Sequence, residues 1–129
     1  MNTSDPKSQP ATPVVDFDQL QSACDGNLDL MRELVKLYFN QAGEIMAGLQ
    51  KAIAESSVAQ VDYLAHKLAG SSLACGFSAI VPPLRQLEHN AKAGHLEGAA
   101  GFFAQASAQL EAIRLRVRDY LSQSSAQTG

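Results

Sequence analysis

The chain has 129 residues, 46% of them hydrophobic and 18% charged, with a formal net charge of -3; this suits one globular domain with a real core and argues against a dedicated nucleic-acid binder, which carries a basic excess. Cys24 and Cys75 are the only cysteines and lack CxxC spacing, so they read as small core hydrophobes, with neither a disulfide framework nor a zinc knuckle implied. No segment reaches the roughly 18 uninterrupted apolar residues of a membrane span, and the amino terminus has no apolar run behind a basic start, so a cytoplasmic protein is expected.

Residues 1–13 hold three of the five prolines among Ser, Thr, Asn and Gln, a composition that predicts a flexible tail. A short amphipathic piece, "DFDQLQSA", follows at 16–23. After the cap-like "DGN" at 25–27, Leu30, Leu34, Leu37, Tyr38, Ile45, Leu49 and Ile53 form one helical stripe, interrupted only by Gly43 and Gly48. A further helix is predicted over 58–74, after the cap candidates Ser56 and Ser57 and before Gly76. Another begins near Ser78, where Pro82 and Pro83 are tolerable only close to a first turn, and ends at Gly94.

The last helix fills 96–122. Its segment "IRLRVR" alternates, but Leu110, Ile113, Val117 and Tyr120 or Leu121 recur at three- and four-residue steps, leaving Leu115 exposed. The polar end, "SQSSAQTG", predicts a flexible tail at 122–129. Helices joined by such short turns pack as antiparallel neighbours. The expected fold is therefore all-α: an antiparallel up-down four-helix bundle with a short additional N-terminal helix, spanning 14–121.

In the segment 58–74 the buried stripe is marked by Val61, Leu64, Ala65, Leu68, Ser72 and Cys75. At about 100° per residue, His66 lies about 200° around the helix from both Leu64 and Leu68 and points away from the core. Asp62 and Tyr63 precede it on its own face, and Ala69, Gly70 and Leu73 follow. The small residues leave the ring open, and Leu73 adds an exposed apolar contact of the kind that marks a docking patch.

Neutral imidazole is a nucleophile that needs no activating base at pH 7. The alternatives lack their residues. There is no GxSxG elbow, and Ser71 and Ser72 point elsewhere on the helix, so they read as packing residues. His66, His89 and His95 have no HExxH or i, i+4 pairing, so no metal site is expected. Without a GxxxxGK[ST] or GxGxxG loop nothing cradles ATP, and any phosphoryl group on His66 would come from a protein or a small donor.

The stretch "AHKLAGSSLACGFSAIVPPLRQLE", residues 65–88, resembles the histidine-containing phosphotransfer (HPt) domain family, whose pattern is roughly H-x-L-K-G-S-S, then x-x-x-G, then apolar residues at helical spacing. His66, Leu68, Gly70, Ser71, Ser72, Gly76, Ile80, Leu84, Leu87 and Glu88 all fall in place. The resemblance implies a four-helix bundle in which His66 accepts a phosphoryl group from a receiver-domain aspartate and passes it to another receiver, as a phosphotransfer intermediate and not an ATP-dependent kinase. It implies response-regulator receiver domains as partners, with a hybrid sensor kinase as a further candidate. No cofactor of the chain's own is implied, since Mg²⁺ would belong to the receiver; the protein is expected to be a monomer without nucleic-acid or membrane partners.

By the same resemblance Glu88 would accept a hydrogen bond from Nδ1 of His66 and leave Nε2 as the nucleophile. The departure is Ala69, which stands where the family has a lysine able to reach phosphate oxygens. Lys67 and Arg85 are the candidates to replace it. The docking surface is expected at Asp62, Ala69, Gly70 and Leu73. A second reading stays open on the missing lysine: a non-transferring adaptor that binds a receiver domain or an enzyme through the same surface.

Overall fold

Three of the helices begin where a polar side chain satisfies a free N–H group of the first turn. In a computed structural model that describes residues 13–128, Asp16, Asn27 and Ser57 each accept a hydrogen bond from the backbone three residues on and so cap α1 (Phe17–Ala23), α2 (Leu28–Ala54) and α3 (Val58–Cys75). A 3₁₀ turn at Ser78–Ile80 leads into α4 (Val81–Lys92), whose two prolines sit in its first turn, where no helical N–H is missed. The last helix, α5, spans Ala99–Thr128. All but Pro13 of the tail expected at 1–13 lies outside the described residues.

Four of these helices close a ring. α2 packs on α3, α3 on α4, α4 on α5 and α5 back on α2, with α3 and α4 sharing the most extensive contact and α1 lying across α2 and α3. This is the four-helix bundle with an extra N-terminal helix that the sequence predicts. None of the described helices is long and apolar enough to cross a membrane. Leu20, Met31, Leu49, Leu68, Phe77, Ile80, Leu84, Leu87, Ile113 and Val117 fill the interior, together with the buried, unpaired Cys24 and Cys75. Burial pushes both thiols up from their ordinary range, with a neighbouring charge adding to the effect in each case.

Three expectations are corrected. In α2 the buried line runs through Met31, Tyr38, Ala42, Ile45, Leu49 and Ala52, and Leu30 and Leu37 stand one residue off it, 48% and 64% exposed. α5 continues to Thr128 where a tail is expected from 122: Ala and Gln are adequate helix formers, and extending an existing helix needs no new nucleus. Finally, α4 starts at Val81 because the preceding turn at Ser78 is 3₁₀.

The α2–α3 seam carries a polar tie. Ser72 donates to the Leu68 carbonyl at 2.6 Å, so its oxygen accepts from the Tyr38 hydroxyl at 2.7 Å. Burial pushes the Tyr38 phenol up to about 12, against the pull of the Ser72 bond, and Cys75 adds to the rise. The Tyr38 ring meets Phe77 edge-on at 4.6 Å. Along the same seam Gly48 lets α3 close in, since a Cβ there would lie 3.1 Å from Leu64 Cδ1.

α3 ends at Gly76, in the left-handed region at φ 80°. Its carbonyl accepts from the Asp16 N–H at 2.7 Å, which pins the start of α1 to the end of α3. A Cβ on Gly76 would sit 2.5 Å from the Asp16 carbonyl oxygen. Gly76→Ala therefore combines backbone strain with a backbone clash, and it is expected to destabilise the fold by about 2–4 kcal/mol, read as a lowered urea midpoint with an unchanged slope.

Candidate functional site

The imidazole of His66 stands on the middle of α3 with its side chain 66% exposed, on the outward face that periodicity assigns to it. Its Nδ1 lies 2.7 Å from Oε2 of Glu88, across the α3–α4 seam. Glu88 is itself buried, with only a tenth of its side chain exposed. The other carboxylate oxygen, Oε1, accepts from Arg85 Nη1 at 2.8 Å, one helical turn earlier on α4.

The ionisation of Glu88 follows from these partners. Burial, the largest single influence, pushes its carboxyl up, but the hydrogen bonds and charges of Arg85 and His66 together outweigh it and hold the group below its ordinary range. An ionised carboxylate only accepts, so in this contact Nδ1 of His66 is the donor. The proton of a neutral His66 then sits on Nδ1, and the Nε2 lone pair is free. It also follows that the 3.5 Å approach of Arg85 Nη1 to Nδ1 is proximity between two donors. Arg85 holds the carboxylate through one amine and has further N–H groups left to offer an anion beside the ring.

The remaining candidates separate. Lys67 turns back along α3, its ammonium 5.9 Å from the centre of the Tyr63 ring, a weak cation–π contact on the surface. Asp62 is tied to Lys92 of α4, at 3.0 Å through Oδ1. Gly70 is exposed with open space where a Cβ would be, and Leu73 is 47% exposed. Ala69, expected on the docking surface, is fully buried. The correction has a geometric reason: Ala69 lies three residues from His66 but also four from the buried Ala65, at the edge of the covered arc. Ser71 and Ser72 bond to the Leu68 carbonyl and serve packing.

Two features escape a reading of the sequence. Lys92 reaches 3.8 Å from Glu88 Oε2, the oxygen that holds His66; its only signal is the i, i+4 spacing from Glu88 on one helix face. The α2–α3 seam opens into an apolar groove of about 390 Å³ lined by Leu34, Leu37, Tyr38, Gln41, Ser71, Ala74 and Cys75. The exposed Leu37 that departs from the core stripe forms its outer wall.

The Hpt domain profile matches residues 33–126, more than half of the chain. No curated protein matches it in sequence. Among solved structures it resembles histidine-containing phosphotransfer protein B from Pseudomonas aeruginosa PAO1, with a TM-score of 0.80 at 19% identity over 88% of this chain and 98% of that one. It also resembles the histidine-containing phosphotransfer protein MtHPt2 from Medicago truncatula, with a TM-score of 0.74 at 22% identity over 90% of this chain and 84% of that one. At those identities the likeness concerns the fold.

A carboxyl held below its ordinary range stabilises the fold above that range, and the contribution is lost as pH falls through the lowered value. Glu88→Gln is thus expected to cost about 1–3 kcal/mol at neutral pH. The gap from wild type should close as the native carboxyl protonates, below its ordinary value of 4.5. Urea titrations across acid pH measure it as a shallower acid limb in the variant.

Proposed function

The chain belongs to the Hpt domain family, and from that premise we propose that it is a phosphorelay intermediate in which His66 takes a phosphoryl group from the aspartyl phosphate of one receiver domain and hands it to the aspartate of another. The observation that carries this reading is the Nδ1–Glu88 bond, which leaves an unprotonated Nε2 on the exposed side of a rigid helix.

The chemistry balances without a proton leaving the ring. Nε2 attacks phosphorus, the P–Nε2 bond forms, and the bond to the aspartate oxygen breaks as its electron pair returns to the carboxylate. His66 becomes an imidazolium that keeps its Nδ1 proton, and its new positive charge faces the Glu88 carboxylate. In the second transfer an aspartate oxygen attacks phosphorus, the P–Nε2 pair returns to the ring, and neutral imidazole is restored. Phosphoryl transfer depends on in-line placement and charge stabilisation more than on covalent help, and His66, Glu88 and Arg85 supply a fixed nucleophile, a counter-charge and a cation. The divalent ion of such an exchange is the receiver's, and this chain needs no cofactor of its own.

In this reading Arg85 is the candidate for the part that Ala69 cannot play, its Nη1 standing 3.5 Å from Nδ1 of His66. The adaptor is the alternative that the labelling experiment below decides. Receivers work inside the cell, so a cytoplasmic monomer fits this role, meeting its partner on the rim formed by Gly70 and Leu73 and the wall of the adjoining groove at Leu34, Leu37 and Ala74. The proline-bearing amino-terminal segment suits either a free-standing relay protein or one module of a hybrid kinase.

Incubation with a phosphorylated receiver is expected to place acid-labile, alkali-stable phosphate on the wild-type chain and none on His66→Gln. Persistent binding to cognate receivers with no label on the wild type would overturn the transfer reading and favour the adaptor. Leu73→Glu tests the docking rim: at sub-saturating receiver, transfer should slow by about ten-fold or more, while the urea midpoint stays close to that of wild type because the side chain is exposed.

A further inference from the structure

The Glu88 carboxylate is gripped from both ends, and only one of its two cations belongs to the site as the family resemblance draws it. Arg85, one turn before Glu88 on α4, binds Oε1 at 2.8 Å. Lys92, one turn after Glu88, lies 3.8 Å from Oε2, which is the oxygen that accepts from His66 Nδ1. Lys92 does not approach by chance of a free side chain. Both oxygens of Asp62 hold its ammonium, at 3.0 and 3.3 Å, and Asp62 stands on α3 one turn before His66. Four groups thus form a rectangle across the seam: His66 and Asp62 on α3, Glu88 and Lys92 on α4.

We propose that Lys92, tethered by Asp62, is a positioning residue for His66, acting through Glu88 by keeping Oε2 turned toward Nδ1. Arg85 alone would fix one oxygen and leave the carboxylate free to rotate about that contact. A second cation beyond Oε2 removes that freedom and favours the arrangement in which Nδ1 donates and Nε2 stays unprotonated. The tether matters as much as the charge, because a four-carbon ammonium side chain that is 59% exposed would otherwise spend its time in water. Asp62 therefore serves the seam, where the sequence alone suggests a docking residue.

This role rests on the reading of His66 as the phosphoacceptor, but its test uses the unphosphorylated chain, so the two fail separately. Long-range ¹H–¹⁵N spectra of the full chain, at a pH where imidazole is neutral, read the ratio of Nδ1–H to Nε2–H tautomer at His66. The wild type should be dominated by Nδ1–H. Lys92→Met should lower the ratio by about two- to five-fold, the range expected of an exposed ion pair, Lys92→Arg should restore it, and Asp62→Asn should lower it by a smaller factor. Lys92 is exposed and Asp62 half-buried, and unchanged urea midpoints would separate a shift in tautomer from a loss of fold. An unchanged ratio in Lys92→Met would overturn the proposal, as would a wild-type ring dominated by Nε2–H. A fall that Lys92→Arg does not reverse would also overturn it.

Discussion

A carboxylate buried between two helices is the constraint around which this molecule is arranged. Taking Glu88 out of water costs several kcal/mol unless its charge is met by partners of good geometry, and here Arg85 and His66 meet it directly. The consequence reaches beyond stability. Because the carboxylate stays ionised, it can only accept, and the imidazole it touches must donate through Nδ1. The tautomer of the exposed imidazole is thereby set by a buried acid on the neighbouring helix. In the proposed transfer the same carboxylate would face the ring as it becomes cationic on bonding phosphorus through Nε2.

That arrangement requires α3 and α4 to hold a fixed register, and the rest of the bundle supplies it. Gly76 turns the chain at the end of α3 and accepts from the start of α1. Phe77 is fully buried immediately after it. The prolines in the first turn of α4 fix where that helix begins. On the opposite side of α3, the Tyr38–Ser72 bond and the close approach at Gly48 fix the seam with α2. His66 thus projects from a helix braced by α1, α2 and α4.

How much of this was legible in the sequence depends on whether a signal is local. Caps are local, and Asn27, Ser57 and Gly76 sit where the sequence places them; so does the outward direction of His66. Leu30 and Leu37 mislead because a ridge of leucines at helical spacing looks the same whether it faces the core or a groove beside it, and only the placement of α3 decides. Ala69 misleads for a related reason, since a residue at the margin of a buried arc is covered or not according to the neighbouring helix. The extension of α5 carries no apolar signal at all. Lys92 is the clearest loss: its tether to Asp62 joins residues on different helices, and no spacing rule along the chain relates them.

The central claim is chemical and has one direct reading. Phosphorylating the ¹⁵N-histidine-labelled chain from a receiver and recording ³¹P–¹⁵N couplings identifies the ring nitrogen of His66 that carries the phosphoryl group. Phosphorus on Nε2, with the proton retained on Nδ1, is the predicted result. Phosphorus on Nδ1, the atom that Glu88 occupies, would contradict it.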